Sequence, residues 1–334
     1  MYTVDVIIPT YKPKKDFLEV LDLLNKQTIK PGRIILMNTE EYYFDQFIYG
    51  TNFLQRYDNC KVYHLSKLEF DHGETRNRGV AHSKADYFVM MTQDAVPKDE
   101  RLIENLLKPL QANEAVVSYA KQLPKADCNP IECYTRAFNY PENSRMKGEK
   151  DLPQLGIKTY FCSDVCAAYN RKVFDELHGF INGAIFNEDM VYAAKAAKSG
   201  YMIAYCADAC VYHSHNYTAS QQFHRNFDLG VSQADHPEVF EGIKSEGEGI
   251  RMVRDTMAYL WNNGYKTCIP RLIIQSGAKF IGYRLGKNYH KLTENQIHKF
   301  TSNPDYWRRK SLKRGIKNID ATKGYGKNPE KEGE

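Results

Sequence analysis

Through the first 120 residues, short apolar runs alternate with stretches whose apolar residues recur at helical spacing. VDVII (4–8), RIILM (33–37), KVYHL (61–65), YFVMMT (87–92) and AVVSYA (115–120) have the length and the β-branched or aromatic content of strands. Between them, Asp16 precedes FLEVLDLL with Glu19 three residues on, which predicts a capping-box-like helix start. GETRNRGVAHS (73–83) and residues 99–111 predict further helices. Such alternation predicts an α/β domain built on a mainly parallel, doubly wound sheet. Beyond it, 158–170 and 201–213 read as strands, and 171–177 and 187–200 as helices. The segment 123–157, with Pro124, Pro130, Pro141 and Pro153, reads as a loop-rich wall over a site.

Toward the C-terminus, CIPRLIIQSGAKFIGYRLGK (268–287) places Arg271, Gln275 and Lys279 on one helical stripe. Ile269, Leu272, Ile273, Phe280 and Ile281 occupy a broad apolar arc, so the segment predicts an amphipathic helix with a basic polar side. Such a helix either packs on protein, including a second subunit in a homodimer, or meets a membrane surface.

Charge and composition sharpen this picture. From Lys266 to Lys317, thirteen Lys/Arg face only Glu294 and Asp305, a net +11 against +5 for the whole chain, which leaves the remainder at −6. A mildly acidic body with a basic tail suits contact with an anionic membrane, and no nucleic-acid module accompanies the charge. The 334 residues can bury a sizeable core. The eight cysteines lack C-x-x-C spacing, and Cys162/Cys166 and Cys206/Cys210 read as small buried thiols. Without a basic-then-apolar leader or an apolar run of about 18 residues, the expectation is a cytoplasmic protein.

Four polar motifs fall where strands end or helices begin, which is where α/β sheets bind ligands. They are VDVIIPTY (4–11), FDHGETRN (70–77), MTQDA (91–95) and FNEDM (186–190). In this order the motifs resemble the inverting family 2 glycosyltransferases of the GT-A fold. FDHGETRN followed by TQDA is most similar to their rhamnosyltransferase branch, which uses dTDP-L-rhamnose. The resemblance covers about Val4 to Leu229. It implies a GT-A domain over 1–230, with a helical basic region over 231–320 for membrane association or dimerisation. Residues 321–334 have the composition of a disordered tail.

Displacing a diphosphate from a sugar builds negative charge that a divalent Mn²⁺ or Mg²⁺ can offset, and Asp94 at a central strand end fits a metal ligand. The family's common D-x-D is here Gln93-Asp94-Ala95, with one carboxylate. The resemblance therefore points to His213 or His215 as a further ligand. It also implies Asp189 as the general base and Glu188 as its support. Asn187 capping a helix with two dipole-complementing acids is the structural alternative. A helix N-terminus would keep Asp189 ionised, making it a weak base acting late in proton transfer.

By the same likeness Pro9, Thr10, Tyr11 and Gln93 line the nucleotide pocket and Arg76 balances the pyrophosphate. Asp71 and Asn77 hold the loop or touch the base. Asn38 or Glu40 replaces the usual acidic base contact after the second strand. Asp164 faces the acceptor, or is a buried turn aspartate. The expected reaction is rhamnosyl transfer from dTDP-rhamnose to a lipid-linked saccharide, at the inner face of the cell membrane. A UDP-hexose donor is the near alternative, and a non-catalytic carbohydrate-binding protein the distant one. A nucleotidyltransferase would need a glycine-rich phosphate loop, and PTYKPKK has no glycine.

Overall fold

The computed structural model describes residues 2–243 and 246–312. One sheet contains β1 (Val4–Tyr11), β2 (Ile34–Thr39), β3 (Cys60–Leu65), β4 (Tyr87–Met91), β5 (Val96–Pro97), β6 (Val117–Leu123), β7 (Arg145–Lys147), β8 (Cys166–Asn170) and β9 (Ile203–Tyr212). The strands follow the order 3-2-1-4-8-6-9-5, with β7 paired to β9. β3, β2, β1 and β4 are parallel. β8 then enters antiparallel to both β4 and β6.

The near-continuous apolar text of β1, β2 and β4 suits strands covered on both faces. Val6, Ile8, Leu36 and Val89 point into one core layer with Leu21 and Leu106. Ile7, Ile35, Phe88 and Met90 point into the other, with Tyr169 and Tyr192. All eight cysteines are free thiols, and Cys162, Cys166, Cys206 and Cys210 are buried. The α/β architecture is the one that the strand–helix alternation predicts, with the parallel β3-β2-β1-β4 half joined by antiparallel pairings of β8, β5 and β7.

Three local expectations change. Asp16 lies inside the first turn of the helix Asp16–Asn25, which has no side-chain cap. The proline-rich wall contains a helix, Pro130–Asn139, capped by Asn129 through the Ile131 and Glu132 N–H groups. Pro130 occupies the first turn, where a missing N–H breaks nothing, so a residue read as a loop signal is a helix start. The strand expected over 158–170 is confined to β8, and residues 156–159 form a 3-10 turn.

The helix Ala219–Asp235 crosses residue 230 and packs against the helix Ile269–Lys287. Glycines set their closeness. A Cβ on Gly286 would lie 2.0 Å from the Phe227 carbonyl oxygen, and one on Gly282 would lie 2.3 Å from that of Phe223. This contact selects which side of Ile269–Lys287 faces inward. Leu272, Gln275, Gly282 and Gly286 are buried, whereas Ile273, Ile274, Phe280 and Ile281 are exposed. The Gln275–Lys279 part of the polar stripe thus faces protein, and much of the apolar arc faces solvent. The expected tail 321–334, and Lys313 and Arg314 of the basic cluster, lie outside the described residues.

Two alanine substitutions in this one helix should move stability in opposite directions. Gly286→Ala should cost about 1–3 kcal/mol through overpacking, despite alanine's better helix propensity. Gly277→Ala, where nothing lies within 4 Å of the added Cβ, should stabilise by up to about 1 kcal/mol. Thermal or urea denaturation of both variants checks the contact.

Candidate active site

One end of the site is made by β5 and β9. Their antiparallel pairing sets Val96 opposite Tyr212, which brings Asp94 beside His213. The Asp94 Oδ2 atom lies 3.5 Å from His213 Nε2 and 3.2 Å from His215 Nε2. The two Nε2 atoms are 3.0 Å apart, and all three donor atoms fall within 4.8 Å of one another.

The neighbours fix the tautomer of His213. Arg136 Nη1 donates to Gln122 Oε1 at 2.5 Å, so His213 Nδ1, 2.9 Å from the same oxygen, must also donate. Its Nε2 therefore keeps a lone pair aimed at Asp94 and His215. Two imidazole nitrogens and a carboxylate oxygen converging in this way fit a divalent metal. Burial pushes the Asp94 carboxyl up, but its contacts with the two imidazoles outweigh this and hold the group far below the usual range. Burial pushes His213 down, against the attraction of Asp94.

At the other end, acids gather around one buried cation. Arg76, on the helix His72–Ala81, lies 2.9 Å from Asp164 Oδ2 through Nε and 2.9 Å from Glu188 Oε1 through Nη1. Asp164 also accepts from the Tyr169 hydroxyl at 2.5 Å. Its backbone N–H donates to Asp189 Oδ2 at 3.0 Å. Asp189 is half-buried, while Arg76, Asp164 and Glu188 are buried.

Burial, then the Glu188 and Asp164 carboxylates, push the Asp189 carboxyl well above its ordinary range. Burial also carries Asp164 up to about 6 against the pull of Arg76. Glu188 goes down, because Arg76 and His72 outweigh its burial. The expectation that a helix N-terminus keeps Asp189 a weak base is therefore reversed. Like charges and desolvation dominate over the dipole. Asn187 does not cap this helix either. It sits at φ 63° without a capping bond, and its amide reaches Ser232 Oγ at 3.4 Å.

A chain of contacts joins the two ends. Gln122, which holds His213, donates to Ser163 Oγ at 3.0 Å, and the next residue is the Asp164 that binds Asp189. The β4–β8 pairing continues past the strand ends, with Thr92 N–H to the Val165 carbonyl at 3.1 Å. Arg225 stands between the same two regions, 5.2 Å from the Phe186 ring centre and 4.9 Å from that of Tyr217. Tyr217 in turn stacks on His215. Arg225 pairs with no carboxylate among the described residues.

The remaining candidates gather at the ends of β1 and β2. Thr10 donates to Asn38 Oδ1 at 3.2 Å, and Gln93 grips Tyr11 through its N–H and carbonyl, both at 2.9 Å. Pro9 and Tyr11 remain partly open. Asn38 has no accessible surface, and its amide donates to the Glu40 carbonyl and meets His64 Nδ1. Glu40 is half-buried at the rim with φ 66°.

The Glycosyl transferase family 2 pattern matches residues 5–178. The chain belongs to that family. It is 38% identical over 306 residues, 91% of this chain and 96% of the other, to the O-antigen chain rhamnosyltransferase RfbN of Salmonella typhimurium. Its identity to the O-antigen chain rhamnosyltransferase WbaN of Salmonella anatum is 36%, over 90% of this chain and 95% of the other. The mannosyltransferase PcManGT of Pyrobaculum calidifontis, solved with GDP-Man and Mn²⁺, shares the fold at TM-score 0.53 and 15% identity, covering 93% of this chain and 86% of that one. The protein is a glycosyltransferase of GT-A fold.

In this glycosyltransferase several motif residues turn inward. Arg76, expected on the pyrophosphate, is buried between Asp164 and Glu188. Asp164, expected on the acceptor side, is the buried turn aspartate, with both oxygens facing protein groups. Asn77 binds the Phe180 backbone on both sides, its Nδ2 to the carbonyl and its Oδ1 to the N–H. Asp71 caps its helix through Gly73 and Glu74 and also accepts from the Gly183 N–H. Gly73 permits this closure, since a Cβ there would lie 1.7 Å from the Ile181 carbonyl oxygen.

Sequence reasoning missed Gln122, Arg136 and Ser163, which lie in the segments read as a strand end, a wall and a strand. The β6–β9 register, which pairs Gln122 with Val211, places Gln122 near His213; Arg136 and Ser163 are brought in only by tertiary contacts. Arg309, 3.5 Å from Asp71 Oδ2, was likewise read only as part of a basic cluster.

The raised Asp189 carboxyl has a stability consequence. A group whose folded-state pKa lies above the unfolded value loses stability as pH climbs from the unfolded toward the folded value. Asp189→Asn removes that cost while keeping an acceptor for the Asp164 N–H. At pH 8 the variant should be more stable by about 1 kcal/mol, or roughly 2–4 °C in melting temperature. The gain should vanish near pH 4, and melting curves at the two pH values check it.

Proposed function

We propose that this glycosyltransferase is metal-dependent and inverting. In this reading it transfers L-rhamnose from dTDP-β-L-rhamnose to a lipid-linked saccharide during synthesis of a bacterial surface polysaccharide. The reaction takes place in the cytoplasm, at the inner face of the membrane. The rhamnosyl assignment is supported by the names of relatives matched over nine-tenths of the chain. The single observation that carries the chemistry is the continuous network from Asp94 through His213, Gln122 and Ser163–Asp164 to Asp189.

Asp94, His213 and His215 would hold the cation, Mn²⁺ or Mg²⁺, and their nitrogen-rich set favours Mn²⁺. When bound, it supplies positive charge against the leaving diphosphate. Arg225 adds a fixed positive charge between the two ends, the role first expected of Arg76. Pro9, Thr10, Tyr11 and Glu40 line the donor pocket, which Asn38, Gln93, Asp71 and Asn77 brace.

Asp189 takes the proton of the acceptor hydroxyl as that oxygen bonds to the anomeric carbon. The bond from that carbon to the diphosphate oxygen breaks on the opposite side, so the β-linked sugar becomes α-linked. Glu188 and Asp164 raise the proton affinity of Asp189, and Arg76 keeps both acids in place. A base poised above the usual carboxylate range transfers protons more effectively near neutral pH.

Asp189→Asn should lower kcat by about 10²–10⁴-fold with nucleotide affinity nearly unchanged, and retained turnover would remove the base assignment. Since Asp189 must be unprotonated to act, kcat/KM should fall as pH drops through its raised pKa. The acid limb should therefore lie well above about 4. Asp94→Ala should abolish the gain in dTDP affinity that Mn²⁺ confers, measured by calorimetry with and without the ion. A donor screen of dTDP-rhamnose against UDP-hexoses on a synthetic lipid-linked acceptor, read by mass spectrometry and NMR, tests the sugar. Preferential use of a UDP-hexose would overturn the rhamnosyl reading.

A further inference from the structure

The helix Ile269–Lys287 has two working faces. Inward, Gln275 donates to the Tyr217 carbonyl at 2.6 Å, and Gln275 and Lys279 border a small polar pocket that includes His215. Outward, Ile273, Ile274, Phe280 and Ile281 are 55, 63, 59 and 55% exposed. Trp261 and Tyr265, just before this helix, are exposed as well, and Lys266 lies 4.3 Å over the Trp261 ring. Four large aliphatic and aromatic side chains along one exposed stripe exceed what scattered surface apolarity explains.

Charge identifies the occupant. Residues 256–293 contain six Lys/Arg and no Asp or Glu. On the outward side Lys266 and Arg271 are exposed beside the apolar stripe, whereas Lys279 faces inward. A symmetric contact with a second copy would set these outward cations against each other. An anionic phospholipid surface offers the complement: acyl chains for the isoleucines and Phe280, the interfacial zone for Trp261 and Tyr265, and headgroup phosphates for Lys266 and Arg271. Among the described residues no helix is long and apolar enough to cross a membrane, so the face would lie on the bilayer.

We infer that the outward face of Ile269–Lys287, with Trp261 and Tyr265 at its leading end, docks this enzyme on an anionic bilayer. Because the opposite face borders His215, the metal triad would stand about one helix diameter, roughly 10–12 Å, from the docking plane. This geometry presents the site to a saccharide whose diphosphate is anchored in that bilayer. The consequence for the acceptor rests on the proposed lipid-linked substrate. The docking itself does not, and it is measured without substrate.

The full chain should co-sediment with phosphatidylcholine–phosphatidylglycerol vesicles and much less with phosphatidylcholine alone. The double variant Ile274→Glu, Phe280→Glu should lose about ten-fold or more of this binding, with melting temperature and Mn²⁺-dependent dTDP affinity unchanged. Lys266→Gln with Arg271→Gln should weaken binding to the anionic vesicles only. Vesicle binding unaffected by the glutamates, or absent in the wild type, overturns the inference. So does light scattering that shows a wild-type dimer which the glutamates make monomeric, since that assigns the face to a second copy. A failed donor screen would leave vesicle binding untouched, so the two readings fail separately.

Discussion

The site depends on one buried guanidinium. Arg76 lies between Asp164 and Glu188, with Asp189 attached through the Asp164 backbone. A cation withdrawn from water costs several kcal/mol unless carboxylates and hydrogen bonds surround it. The reverse also holds: Glu188 and Asp164 can stay inside only because Arg76 is there. One cation cannot balance three acids, and the excess falls on the most accessible of them. That imbalance gives Asp189 a high proton affinity next to solvent. Under the proposed mechanism Arg76 therefore acts through Asp164 and Glu188, the carboxylates it pairs with.

The same logic runs through the motif residues. FDHGETRN places Asp71, Gly73 and Asn77 against the 180–183 loop, more than 100 residues away in sequence. Gln93 ties the end of β4 to the end of β1. These side chains hold strand ends and loops in one arrangement, and Pro9, Tyr11, Glu40 and Asp189 remain partly open. Preorganisation of this kind lets a few groups act without moving when charge develops.

Helix packing couples this chemistry to the outside. Gly230, Gly282 and Gly286 let two helices approach at backbone distance, and that contact rotates Ile269–Lys287 about its axis. Its polar stripe then meets the His215 region, and its apolar stripe is left outside. Close backbone packing and a buried glutamine bond to Tyr217 decide the orientation over the helix's own hydrophobicity.

Local text was enough to determine the alternation of strands and helices over the first 120 residues, the expectation of a mainly parallel sheet and the four motif positions. Apolar runs and helical periodicity record backbone preferences that act within a few residues. The convergence of Asp94 with His213 and His215 was legible as a hypothesis, because strand ends in such sheets collect at one edge. Tertiary structure alone decided the inward turn of Arg76 and Asp164, the tautomer of His213 set by Gln122 and Arg136, and the inverted helix. Each depends on pairing between segments far apart in the chain, where burial and like-charge repulsion outweigh local preferences such as the helix dipole at Asp189. A sequence lists those residues but does not say which water molecules they will lose.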